Sequence, residues 1–162
     1  KQRPGRPEQR KAKQAIPAGS ARKAVQAKLT VIAQQEKGVH ILDVNVGLPD
    51  IDENKMLKKT VEELQAVIDL PLQIDTADIG AMESALRIYN GKPMLNSVNG
   101  KAESMAAIFP LVKKYGGVCV ALTLDENGIP DTAEGRVAIA EKRKSTSRKR
   151  GKRLFGAEIF RS

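Results

Sequence analysis

Apolar residues recur along this chain with two alternating periods. From Ala24 onward, Val25, Leu29, Ile32 and Ala33 fall three and four apart, the spacing of a helix that buries one stripe. Gly38, just after it, can take the left-handed conformation that closes a helix. Residues 39–46 (VHILDVNV) are then a β-rich run that stops at Gly47, Leu48 and Pro49, which predicts a strand followed by a loop. The helical period returns over 54–68, with Met56, Leu57, Val61, Leu64 and Ile68 on one side. Residues 71–76 read as a short strand, 81–89 as a helix ended by Asn90 and Gly91, and 94–98 as the next strand. A helix over 101–115, ended by Gly116 and Gly117, leads to a fourth strand at 118–124. Residues 126–130 form a turn, and 132–140 begin another helix.

Strand and helix alternate without a hairpin signal, and the strands begin near 39, 71, 94 and 118. That is the pattern of parallel βα units whose sheet is covered by helices. A doubly wound sheet and a (β/α)8 TIM barrel both fit. A whole barrel takes about 250 residues and eight strands, so on the barrel reading about four βα units make a partial barrel. Residues 24–141 are expected to form this domain. Residues 1–23 are expected to be a basic disordered tail, because 1–20 hold three prolines, two glycines and many Lys, Arg and Gln and cannot bury enough apolar surface to offset ordering. Past Ala140 the periodicity gives way to KRKSTSRKRGKR, so 142–162 are expected to be a second basic, disordered tail.

Charge sharpens this division. The formal net charge is +9 over 162 residues. Residues 1–38 carry ten Lys or Arg against two acids, 39–140 carry nine against fifteen, and 141–162 carry nine against two. A nucleic-acid-binding domain normally carries its positive charge on the folded surface, whereas here the patterned middle is acidic. Nucleic acid is therefore not the expected partner, and a basic-tailed nucleic-acid binder stands only as an alternative. The longest apolar run, VCVAL at 118–122, is strand-sized and far short of the roughly 18 residues that span a bilayer, so no membrane partner is expected. The first twenty residues have no apolar core of a secretory leader, and a single cysteine, Cys119, suits a reducing cytoplasm. One cysteine and one histidine, His40, argue against a zinc site.

In parallel βα architectures ligands sit beyond the carboxyl ends of the strands. Four successive strands here end in Asp43 and Asn45, in Asp75 and Asp78, in Asn96 and Asn99, and in Asp125 and Glu126. An Asp in such a place equally serves as a helix N-cap, an alternative that applies to Asp78 and Asp125. Carboxylates accept hydrogen bonds and carboxamides both donate and accept, which is the set that a flat heterocycle with an amino-amide edge requires. Neither Arg nor Lys stands at these ends, against a phosphate as the main ligand. No nucleophile–His pair supports triad hydrolysis, and His40, early in its strand, reads as structural. Magnesium on Asp43 and Asp75 would be chemically possible, but the abundance of amides favours an organic ligand, so no metal is expected.

Residues 39–141, more weakly back to about Lys28, closely resemble the methyltetrahydrofolate-binding domain of cobalamin-dependent methionine synthase and related corrinoid methyltransferases. The motifs are HILDVNVGLP (40–49), LQIDT (72–76), YNGKPMLNSVNG (89–100) and ALTLDENGIP (121–130). Dihydropteroate synthase is a more distant likeness and the alternative function; it has Gly-Gly-Glu-Ser where this chain has VNVG at 44–47. The resemblance implies a (β/α)8 barrel with an acidic, amide-lined pterin pocket. By motif position, Asp43, Asp75 and Asn96 would hold the pterin ring, with Asn45, Asp78 and Asn99 around the same mouth. It implies transfer of the N5 methyl of 5-methyltetrahydrofolate to a corrinoid (cobalamin) carried by another domain or protein. The family's opening Gly-Glu-Arg-x-Asn-Pro strand is not found in 1–39, and the basic stretch after Ala140 stands where further strands are expected. With no initiating Met, the chain is expected to be a fragment, or to have ends read out of frame.

Overall fold

The computed structural model describes residues 12–15 and 21–149, with side chains over 26–147. Its elements are β1 (Ala12–Ala15), α1 (Ala21–Glu36), β2 (Leu42–Asn45), α2 (Glu53–Gln65), β3 (Leu72–Asp75), α3 (Ile79–Ile88), β4 (Met94–Val98), α4 (Ala102–Tyr115), β5 (Val118–Ala121) and α5 (Ala133–Lys149). The helix endings follow the chemistry read from sequence: Gly38 and Gly116 have φ of 76° and 67° after α1 and α4, where a Cβ would be strained.

All five strands are parallel, and their order is the chain order, β1-β2-β3-β4-β5. A doubly wound sheet must reverse its winding at a switch point, and these strands never do. With right-handed crossovers, every connecting helix falls on the same side, which is the winding of a barrel wall. The structure thus decides between the two architectures in favour of the partial TIM barrel.

Strand alternation then gives the sheet two unlike faces. Leu42, Val44, Leu72, Ile74, Leu95 and Cys119 point to the helices and share one core with Leu57, Val61 and Leu64 of α2, Met82 and Leu86 of α3, and Ile108 and Val112 of α4. Burying such a side chain fully contributes about 1.5–3 kcal/mol. The other face carries, in register, Asp43, Gln73, Met94 and Val118, and one step further along the strands Asp75, Asn96 and Val120.

Two expectations are corrected. The expected disordered tail over 1–23 contains β1, paired with β2 from Ala12↔Leu42 to Ala15↔Asn45, and the first three residues of α1 as well. AKQA has no β-branched or aromatic residue to signal a strand, yet it satisfies backbone groups that β2 would otherwise leave open. The tail expected over 142–162 begins inside α5, which runs to Lys149. Ala, Glu, Lys and Arg are good helix formers, and Ile139, Arg143 and Ser147, four apart, are all buried. The rest of both stretches, 1–11, 16–20 and 150–162, lies outside the described residues. No helix among those described is long and apolar enough to cross a membrane.

Candidate pterin site

The polar face is built from strand positions that alternate with core positions. Leu42 and Val44 are drawn into the apolar core on one side of β2, and this fixes Asp43 and Asn45 on the other. The same argument places Gln73 and Asp75 on β3 and Asn96 on β4. Asp75 and Asn96 are register partners, so their backbones lie about 4.8 Å apart. Both are half-buried, and neither side chain hydrogen-bonds within the described residues. Beyond Asn96 the pairing of β4 with β5 shifts between Asn96 and Val98, an irregularity of the kind that re-aims side chains beside binding sites.

One row deeper, Asp43 is buried at 7% exposure and Gln73 at 5%. Gln73 Nε2 donates to Asp43 Oδ1 at 2.6 Å. A buried carboxylate needs such donors, and because a carboxylate only accepts, the amide must turn its NH2 group toward it.

The remaining expected residues stand at the mouth, each partly engaged by its own loop. Asn45 Oδ1 accepts from Gly47 N at 3.0 Å, which turns the chain out of β2 and leaves the Asn45 NH2 group as the side chain's donor. Asn99 Oδ1 accepts from Lys101 N at 3.0 Å, with the same consequence. Asp78 is the N-cap of α3: its Oδ1 accepts from Gly80 N at 2.7 Å and Ala81 N at 3.0 Å. Asp125 Oδ1 accepts from Asn127 N at 2.9 Å and closes the turn after β5.

Three polar residues outside the strand-tip reading belong to this end of the sheet. Gln73 is one; its signal was a polar residue two before Asp75, hence on the same face. Thr76 Oγ1 donates to Glu53 Oε1 and accepts from Asp78 N at 3.0 Å. Glu53 and Thr76 thereby tie the start of α2 to the loop that follows β3, a contact between residues 23 apart that no local motif encodes. Glu126 does similar work on the other side, where its Oε1 accepts from Ala102 N at 3.2 Å. The backbone N–H groups of Glu126 itself and of Ala102 hold its carboxyl below the usual glutamate range. Lys101, the N-cap of α4, supplies no side-chain cap, so a carboxylate from the next loop satisfies that helix end. His40 is well before the tip of β2, and among the described residues no three His, Cys, Asp or Glu side chains gather as a metal-holding group.

The carboxylate-and-amide face thus offers acceptors from Asp43 and Asp75 and donor-acceptor amides from Gln73 and Asn96. That set matches the edge of an aminopyrimidinone, whose amino and ring N–H groups donate and whose carbonyl accepts.

Comparison with known proteins agrees with this chemistry. The chain is 32% identical over 114 residues to a methionine synthase of Mycobacterium tuberculosis, covering 67% of this chain and 10% of that protein. It is 31% identical over 114 residues to the methionine synthase of Mycobacterium leprae, with the same coverage. Against a methylcorrinoid:tetrahydrofolate methyltransferase of Eubacterium limosum it is 30% identical over 112 residues, covering 68% of this chain and 41% of that protein. The chain therefore spans about a tenth of the methionine synthases it matches and under half of the methyltransferase. Residues 11–154 match the pterin binding enzyme family, and this chain, related to methyltransferases within that family, belongs to it.

Proposed function

We propose that this chain binds the pterin ring of 5-methyltetrahydrofolate on the polar face of its sheet and serves transfer of the N5 methyl to a corrinoid held by another domain or protein. The observation that carries the reading is the pair Asp75 and Asn96, neighbours in register on that face whose side chains make no hydrogen bonds among the described residues. An acceptor beside a donor-acceptor amide suits the two sides of the pterin edge, and Asp43 adds a second acceptor below. The Eubacterium limosum relative is named for methyl transfer from a methylcorrinoid to tetrahydrofolate, the same pair of reactants in the opposite direction, and the mycobacterial relatives are named methionine synthases.

A tertiary amine leaves poorly, so N5 must gain a proton or a strong hydrogen bond as the methyl departs. The residues of this chain contribute by fixing the ring and by presenting donors at the mouth. The NH2 groups of Asn45 and Asn99 suit that task, because their Oδ1 atoms are already taken by backbone N–H groups. Asp78 borders the same mouth through the oxygen not used in capping α3. The corrinoid supplies a reduced cobalt nucleophile. The proposed setting is the cytoplasm, where Cys119 stays reduced. The acidic middle of the chain gives nucleic acid no part in this reading.

Titration of the full chain with 5-methyltetrahydrofolate tests the reading. A hydrogen bond to a charged group is worth about 1.5–3 kcal/mol, so Asp75→Asn and Asn96→Ala should each weaken binding roughly ten- to hundredfold. Undiminished affinity in both variants would refute the site.

A further inference from the structure

We infer that Lys101 is a specificity-determining residue whose ammonium pairs with the carboxylates of the p-aminobenzoyl-glutamate tail of the bound folate. The inference rests on the pterin-site reading above and names the group that meets the rest of the ligand. With the amino-pyrimidinone edge against Asp75 and Asn96, the tail, attached on the far side of the pterin, leaves through the loops beyond the strand ends. Those loops, 46–52, 76–78, 99–101 and 122–132, hold the acids Asp50, Asp52, Asp78, Asp125, Glu126 and Asp131 and one cation, Lys101. A dianionic tail crossing an acidic rim is repelled unless a cation receives it.

Lys101 is placed to do so. It follows the site residue Asn99, whose Oδ1 accepts from Lys101 N at 3.0 Å. Its loop is pinned further by Asn99 N, which donates to Ser104 Oγ at 3.1 Å, and by Gly100 N, which donates to Leu124 O at 2.7 Å. Lys101 is half-buried, yet its side chain joins no ion pair or hydrogen bond among the described residues. The acid of the neighbouring loop, Glu126, is engaged elsewhere: its Oε1 accepts from Ala102 N at 3.2 Å and its Oε2 stands 3.6 Å from Lys142 Nζ. The first N–H of α4 is therefore already met, and what remains for an anion is the ammonium itself. The cations in the first turns of α2 and α5 are also engaged, Lys55 with Asp52 at 2.8 Å and Arg136 with the Pro130 carbonyl at 3.1 Å. The fold gives no reason for a cation at 101. Asp52 and Asp78 cap α2 and α3 with their side chains, whereas Lys101 opens α4 without a cap hydrogen bond and sets its charge against the positive end of the helix dipole. Such departures are expected where a ligand, not the fold, sets the residue.

Titration of the full chain with two ligands isolates the charge of the tail. One is 5-methyltetrahydrofolate; the other is its diamide, in which both tail carboxylates are carboxamides and the ring is unchanged. Wild type should bind the acid about fivefold more tightly than the diamide at low salt, the scale of one partly exposed ion pair, and added salt should shrink the difference. Lys101→Gln should lose this preference and bind the diamide as wild type does, while Lys101→Arg should keep it. An equal preference in wild type and Lys101→Gln, or no preference in wild type, would overturn the inference. Should Lys101→Gln fail to fold, Lys101→Met carries the same comparison, and a wild-type preference that high salt leaves intact overturns the inference without any variant. If wild type binds neither ligand, the functional reading falls and takes this inference with it. If both ligands bind equally and Asp75→Asn weakens both, the reading stands and only the inference falls.

Discussion

Cys119 shows how completely position sets the behaviour of a side chain. It lies on the helix-facing side of β5 at 5% exposure, and burial pushes its thiol up to about 11, with Arg143 pulling slightly the other way. The thiolate is the nucleophile, so the folded chain should react with a thiol reagent at pH 8 only at its opening rate and react promptly in urea; fast reaction in the native state would contradict the packing. The same shift carries a stability consequence. Above pH 9 the unfolded thiol ionises while the folded one stays protonated, so the contribution of Cys119 is full below pH 9 and is lost as pH rises toward 11. Urea midpoints of wild type and Cys119→Ala should therefore converge between pH 9 and 11, and parallel curves would count against it. Residue identity made the candidate site partly legible: the acids and amides at strand tips were visible, but their local engagements were not. Asp78 read equally as cap or ligand until its Oδ1 was seen to receive two N–H groups of α3. Gln73 was hidden inside a strand, where only the face it shares with Asp75 marks it.

At the scale of elements, the loops that shape the mouth depend on close backbone approach. Gly100 N donates to Leu124 O at 2.7 Å, and a Cβ on Gly100 would stand 2.8 Å from Ile139 Cγ2 and 2.9 Å from Leu124 O. The carbonyl is backbone and cannot swing aside. Gly100→Ala should thus destabilise the chain by about 1–3 kcal/mol, the usual cost of overpacking, read as a lowered urea midpoint; an unchanged midpoint would mean that the loop after β4 is not held against the loop after β5. Helix existence was legible because α2 and α4 carry clear apolar stripes closed by turn residues. What periodicity missed were β1 and the second half of α5, for opposite reasons. β1 has no strand-forming residue and owes its form to the open edge of β2. α5 has charged residues on nearly every face, and its buried stripe includes Arg143 and Ser147, which a hydrophobic pattern does not count.

For the whole molecule, winding in one direction divides the sheet into a side that holds the fold and a side whose polar rows form the proposed binding face. Patterning predicted parallel strands but could not order them, since sequence spacing is the same whether the winding continues or reverses. The sequential order settles the matter, and it implies that stability and binding can be altered separately. Leu57 is fully buried in the core on the helix side, where Leu→Ala changes cost about 2–5 kcal/mol. Leu57→Ala should lower the urea midpoint sharply, yet its folded fraction should bind 5-methyltetrahydrofolate as wild type does. Asp75→Asn, on the opposite face, should do the reverse, because its carboxylate joins no hydrogen bond among the described residues and its loss removes no core contact. Measuring both quantities for both variants gives four numbers with a crossed pattern. If Leu57→Ala weakened binding by the folded chain as much as Asp75→Asn did, the two faces would be mechanically coupled and the site would depend on the packing behind it rather than on its own polar rows.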